Sequence, residues 1–84
     1  MPKTRYGKTA WWWLLHTRNE LKEHPRCRSF PPIQPYCKAH MRAVKGLIEC
    51  GIFEEVKTDD EGRLFYKTTL SRVTEAIANG TVRD

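Results

Sequence analysis

The stretch from Tyr36 to Leu70 is the part of this 84-residue sequence that most restricts the fold it can adopt. An apolar stripe at three- and four-residue spacing is followed by a glycine, and that order is typical of an amphipathic helix with a left-handed C-terminal cap. The stripe consists of Met41, Val44, Leu47 and Ile48. We therefore predict a helix over about 35–50 that ends at Gly51.

Two extended runs follow this helix, and they predict a hairpin. The first covers 52–58, the second covers 63–68, and the acidic segment 59–62 between them ends in a glycine, as turns often do. Thr69 is a good N-cap for a last helix, because its hydroxyl can accept a hydrogen bond from a free backbone N–H. The apolar positions of that helix are Leu70, Val73 and Ile77.

Three consecutive tryptophans mark an earlier helix, which we expect to run from an N-cap at Thr9 to about Glu23, before Pro25. Successive helical residues advance by about 100°, so the three rings cannot all face one core. At least one of them should be partly exposed. The tryptophans either cover both sides of the first helix or form a patch for a protein partner or a second copy of the chain. The residues concerned are Trp11, Trp12 and Trp13.

The segment 25–35 carries four prolines and cannot form an ordinary helix. Phe30 and Ile33 are the apolar residues by which this loop would reach the core. The N-terminal residues 1–8 are predicted to be a flexible basic arm, 9–80 a single domain and 81–84 a tail.

Positive charge is concentrated in the first half of the chain, although the total is only +5. Residues 1–50 hold ten Lys and Arg against three Glu, a net +7, and residues 51–84 hold five against seven acids, a net −2. Such a field attracts polyanions, but charge alone is equally consistent with a merely soluble basic surface, and it is the alignment of cations on the helix that favours nucleic acid. The candidate DNA contacts among these ten are the row Lys38, Arg42 and Lys45 on the helix over 35–50, together with Lys3, Arg5, Lys8, Arg26 and Arg28.

A zinc site is one interpretation of the cysteines and histidines around the Pro-rich loop. His24 and Cys27 lie at one end of the loop, and Cys37 and His40 at the other, each pair with two residues between its members. Zinc binds thiolate and imidazole tetrahedrally, and a closed loop would add stability to a small domain. The alternative is that Cys37 and His40 are core residues. Cys50 has no second ligand near it in sequence and is expected in the core.

The second half of the chain resembles a winged helix-turn-helix DNA-binding domain. The resemblance rests on Val44, Leu47, Gly51 and Ile52 before the first strand, and on Tyr66, Thr68 and Thr69 before the last helix. It implies an α+β, winged-helix-like fold in which 35–50 is the recognition helix, with its basic row facing a major groove. The helix that normally precedes the recognition helix is replaced by the Pro-rich loop. The acidic tip at 59–61 would be repelled by DNA, so this wing is expected to point away, and only Lys57, Arg63 and Lys67 could offset the repulsion.

These observations predict a small, sequence-specific, duplex-DNA-binding protein, either a transcriptional regulator or an accessory factor of a phage or mobile element. A protein-interaction adaptor or inhibitor on the same scaffold is the alternative, and RNA binding would need an exposed tryptophan beside the basic face. No catalytic motif and no small-molecule site is evident, so we do not expect an enzyme. There is no signal peptide and no apolar run of membrane-spanning length, which predicts a cytoplasmic protein without a membrane partner.

Overall fold

The computed structural model describes residues 3–24 and 30–83. Within those ranges the chain forms a small α+β fold with three helices and two two-stranded sheets. The elements in chain order are β1 (Thr4–Tyr6), α1 (Lys8–Glu23), α2 (Lys38–Glu49), β2 (Glu54–Thr58), β3 (Leu64–Lys67), α3 (Leu70–Ala78) and β4 (Gly80–Val82). The α+β class expected from the sequence is therefore confirmed.

The core lies where α1 packs against both α2 and α3. Leu14 of α1, Val44 of α2 and Val73 of α3 have no exposed surface, and each sits on the apolar stripe of its helix. Leu47 is buried beside Val44, while Met41 and Ile48 pack against the core from its edge. The predicted stripe of α2 is confirmed. In α3, however, the predicted core residue Leu70 is 38% exposed, whereas Ala76, which is not among the predicted positions, is buried.

The C-terminus of α2 ends in the predicted glycine cap. Gly51 has a φ of +79°, which only glycine adopts without strain. The Ile52 N–H donates to the Leu47 carbonyl at 3.0 Å, and the Gly51 N–H donates to the Ile48 carbonyl at 3.0 Å. These two bonds form a Schellman motif, which turns the chain directly into Phe53 and the hairpin.

The hairpin pairs β2 with β3 in antiparallel register, with Glu54 opposite Lys67 and Thr58 opposite Leu64. The register shifts between Glu55 and Lys57, as in a β-bulge that leaves one extra residue on β2. On the core side, Ile33 forms an isolated antiparallel bridge with Leu64 through two backbone hydrogen bonds of 3.0 Å. The Pro-rich segment is thereby attached to the sheet.

Three stacked aromatic rings join the Pro-rich segment, the hairpin and the end of α2. The Tyr66 ring lies between Phe53, at a centroid distance of 4.6 Å, and Phe30, at 5.1 Å, with both pairs inclined by 11°. Phe30 and Ile33 are both buried, which confirms that they anchor the segment in the core. Packing of this kind fixes the position of α2, and residues 30–37 before it form no helix.

The two ends of the domain pair with each other, which differs from the flexible arm and free tail expected from the sequence. Strands β1 and β4 run parallel, with Thr4 opposite Gly80 and Tyr6 opposite Val82. A Cβ at Gly80 would lie 2.5 Å from the Tyr6 ring and 2.7 Å from the Ala76 carbonyl oxygen, so the close approach requires glycine. The basic segment is thus a short strand, because tertiary pairing satisfies its backbone.

The helix starts also differ from the expected ones. Helix α1 begins at Lys8 with Gly7 as its N-cap, not with an N-cap at Thr9. Helix α2 begins at Lys38 rather than at about 35, because Pro35 and Tyr36 form a turn and Cys37 is the N-cap. The N-cap at Thr69 is confirmed, since its hydroxyl accepts a hydrogen bond from the Arg72 N–H at 3.2 Å. Cys50 is exposed at the C-cap of α2, so the prediction that it lies in the core is wrong.

Candidate nucleic-acid interface

The predicted basic row lies on the solvent side of α2. Lys38, Arg42 and Lys45 are all exposed, while Val44 and Leu47 on the opposite side are buried. At 100° per residue the three cations fall within about 60° of arc, so they project in nearly the same direction. The structure therefore presents them as one continuous row.

A depression of about 490 Å³ runs along this row. It is lined by all three cations, together with Glu49 at its far end and Pro35 at the start of α2. Arg42 also borders a second groove of about 350 Å³, between α2 and the first turn of α1. The floor of that second groove is made of small residues, namely Ala10, Ala39, Ala43 and Gly46.

Lys8 and Arg42 line the same side of the molecule although they belong to different helices. Both border the groove between α1 and α2, so Lys8 extends the basic row of α2. Arg5 lies elsewhere, beside Arg83 in a depression on the strands β1 and β4. Lys3 is exposed at the beginning of the described chain. Arg26 and Arg28, also predicted to contact DNA, lie outside the described residues.

The acidic turn of the hairpin is organised around Asp59. One carboxylate oxygen accepts the backbone N–H groups of Arg63 and Glu61 at 2.8 and 3.0 Å, and the other accepts the Arg63 guanidinium at 2.7 Å. Desolvation pushes the pKa of the Asp59 carboxyl upward, but these hydrogen bonds and the Arg63 charge outweigh it and hold that pKa below its usual value. The Asp59 hydrogen bond and charge likewise raise the pKa of the Arg63 guanidinium.

The hairpin cations are engaged within the hairpin itself. Arg63 also pairs with Glu61 at 3.2 Å, and Lys67 lies 3.8 Å from Glu54. The Lys57 ammonium is 5.0 Å from the centre of the Phe65 ring, within the range of a cation–π contact. The charges of Arg63 and Lys67 are therefore offset by acidic side chains of the hairpin, whereas Lys57 contacts only an aromatic ring.

The acidic turn approaches the segment just before α2, and the expectation that this wing points away from DNA stays a prediction. A Cβ at Gly62 would lie 3.3 Å from the Pro35 Cβ, and Pro35 borders the same depression as Lys38. The glycine that ends the acidic turn thus lies close to a residue that borders this depression.

Of the three tryptophans, only Trp12 offers a large exposed ring. Trp11 is half-buried against Tyr6, and Trp13 is half-buried between the ring of Tyr66 and that of His40. Trp12 is 49% exposed, which confirms that at least one of them reaches solvent. Lys8 and His16, which are four residues before and after Trp12, are also exposed on this side of α1.

The predicted zinc ligands are only partly within the described residues. Cys27 lies outside them, and no group of three or more metal-binding side chains occurs within ranges 3–24 and 30–83. His24 is exposed at the end of α1, whereas Cys37 and His40 are half-buried at the start of α2. The Trp13 indole N–H donates to Nδ1 of His40 at 3.0 Å, which leaves the imidazole proton on Nε2. A zinc ion at either nitrogen of His40 would therefore have to displace this hydrogen bond.

Zinc binding thus stays a prediction, and metal analysis tests it. One zinc per chain is expected, lost in Cys27→Ser and Cys37→Ser and retained in Cys50→Ser, and chelation should lower the melting temperature because binding energy is partly folding energy. Tryptophan fluorescence should change on chelation, because the Trp13 indole N–H regains its hydrogen bond to His40. A metal-free, fully folded protein that gains no stability from added zinc contradicts the prediction and leaves His40 as an acceptor for Trp13.

No helix within the described residues is long and apolar enough to cross a membrane.

Comparisons with protein-family models, with curated proteins and with solved structures find no match for this chain. Its function is therefore inferred from its own residues and their arrangement.

Proposed function

We propose that this protein binds duplex DNA through the exposed basic row of α2, extended by Lys8 from α1. The observation that carries the proposal is the position of Arg42. It stands between two grooves, with Lys38 and Lys45 along one and Lys8 across the other. Cations from two separate segments thus converge on one surface, whose helix can contact phosphates and base edges in a major groove.

The order of elements supports a winged-helix interpretation of this surface. In it α2 is the recognition helix, β2 and β3 form the wing, and the Ile33–Leu64 bridge ties the preceding segment to the wing. Residues 30–37 contain no helix, so in this part of the motif aromatic packing would hold the chain in place of a helix. A regulator or a phage or mobile-element accessory factor would use such a domain to reach a specific site.

The hairpin would contribute little attraction, because Arg63 and Lys67 pair with acidic side chains and the turn is acidic. The centre of binding would then be Arg42, away from the wing.

The test is a salt titration of binding to duplex DNA. Four cations that each neutralise about one phosphate predict a log–log slope of about −3 to −4, so affinity should fall about a hundredfold between 50 and 200 mM salt. Fluorescence anisotropy with a labelled duplex measures the slope. Binding that does not respond to salt, or no binding at low salt, would contradict the proposal.

The alternative function is a protein-interaction adaptor or inhibitor, possible on the same scaffold, and the exposed ring of Trp12 is the observation that favours it. A homodimer or a protein partner would cover this ring. Sedimentation equilibrium distinguishes the two functions. An adaptor should still associate with its protein partner or second copy at high salt, whereas a DNA-binding protein should release its DNA at high salt.

A further inference from the structure

The Trp12 ring is held rigidly while about half of its surface remains in solvent. One face stacks on His16, at a centroid distance of 4.7 Å and an angle of 6°. Trp13 and His40 contact it edge to face, at 5.1 and 6.0 Å. Three neighbours thus fix the orientation of a side chain that is 49% exposed, so little conformational entropy would be lost when another flat group stacks on it.

The same ring belongs to the basic surface. Lys8 is four residues before Trp12 on α1, so their Cβ atoms are about 6 Å apart on one side of the helix. Lys8 and Arg42 both line the groove between the two helices. Lys8 therefore connects the exposed Trp12 ring on α1 to the cations of α2.

From this arrangement we infer that Trp12 stacks on an unpaired base while Lys8 and Arg42 hold the neighbouring phosphates. A base inside a duplex is stacked on both sides and presents only its edges, so a flat exposed indole is of use only to a base outside the stack. The preferred ligand is then DNA in which a duplex continues into a single strand. The inference rests on the proposed function, since the same cations must bind the DNA backbone.

Charge argues against a second copy of the chain as the occupant of Trp12. A two-fold symmetric contact centred on this ring would bring Lys8 and Arg42 of one protomer close to the same cations of its partner. Like charges at an interface are repulsive, and a polyanion removes that repulsion instead.

The experiment compares a blunt duplex with the same duplex carrying a single-stranded thymidine extension. The wild-type protein should bind the extended DNA about tenfold more tightly, the range expected for one stacked base. Trp12→Ala should reduce this ratio to about one, whereas Trp12→Phe should keep most of it because a ring remains. Asn19→Ala, an exposed change further along the same helix, is the matched control and should keep the full ratio.

Fluorescence gives an independent measure, since stacking on a base quenches an indole. The extended DNA should quench the wild-type emission more than the blunt duplex does, and the difference should vanish in Trp12→Phe. Equal affinities for the two DNAs, together with salt-dependent duplex binding, would overturn this inference and leave the proposed function standing. If neither DNA binds at low salt, both the inference and the proposed function are contradicted. A dimer that Trp12→Ala dissociates would also overturn the inference, because a second copy would then cover the ring.

Discussion

Arg42→Glu should weaken binding to a blunt DNA duplex by about 1–3 kcal/mol, a loss of about tenfold or more at low salt. Arg42 borders both grooves of the candidate interface, so a carboxylate there would repel phosphates that approach along α2 or from Lys8. The log–log salt slope should also become shallower by about one, because one fewer counterion is released. Anisotropy titrations at several salt concentrations measure both quantities.

Lys57→Glu is the matched control for charge. It makes the same change in net charge, and Lys57 is exposed on β2, where its ammonium lies over the Phe65 ring in the hairpin. We expect Lys57→Glu to change the free energy of DNA binding by less than half as much as Arg42→Glu does. Circular dichroism should show both variants folded, since both side chains are on the surface. Equal losses from the two changes would mean that net charge, and not the α2 surface, governs binding.

Phe53→Ala should lower the free energy of unfolding by about 3–5 kcal/mol, the usual range for removing a buried phenyl ring. Phe53 is only 2% exposed, and its ring stacks on Tyr66, which in turn stacks on Phe30. The change would remove one end of the stack that holds the Pro-rich segment, the hairpin and the end of α2 together. Native proteins have a free energy of unfolding of about 5–15 kcal/mol, so Phe53→Ala would remove much of that free energy.

Thermal denaturation followed by circular dichroism measures this effect, and the melting temperature should fall by about 15–30 °C. Val56→Ala is the control, because Val56 lies three residues further along but is 55% exposed. It should change stability by no more than about 0.5 kcal/mol. Similar losses from the two variants would show that the aromatic stack is not a main source of stability.

Much of α2 and the hairpin could be predicted because the signals there are local. The stripe that contains Val44 and Leu47, the glycine at Gly51 and the cap at Thr69 each depend on residues within one or two helical turns. A glycine in the left-handed region and a hydroxyl that caps a helix act on their immediate neighbours, so sequence spacing is sufficient to identify them.

Contacts between distant segments could not be predicted in this way. Strands β1 and β4 are three residues each, too short for a periodic pattern, and neither would be stable without the other. Cys50 could not be placed either, because the Schellman turn directs the chain around it and leaves it exposed. The identity of the exposed tryptophan depended on which sides of α1 were covered by α2 and α3.

The sequence by itself determined the amphipathic character of the helices, the end of α2, the acidic turn and the alignment of Lys38, Arg42 and Lys45 in one row. These follow from helical geometry and from the backbone preferences of single residues. Only the tertiary structure decided that Lys8 lies across a groove from Arg42, that the acidic turn packs against Pro35, and that Trp12 is the exposed indole. The reason is that each of these relations joins segments distant in sequence, and close packing of side chains in the core sets their separation.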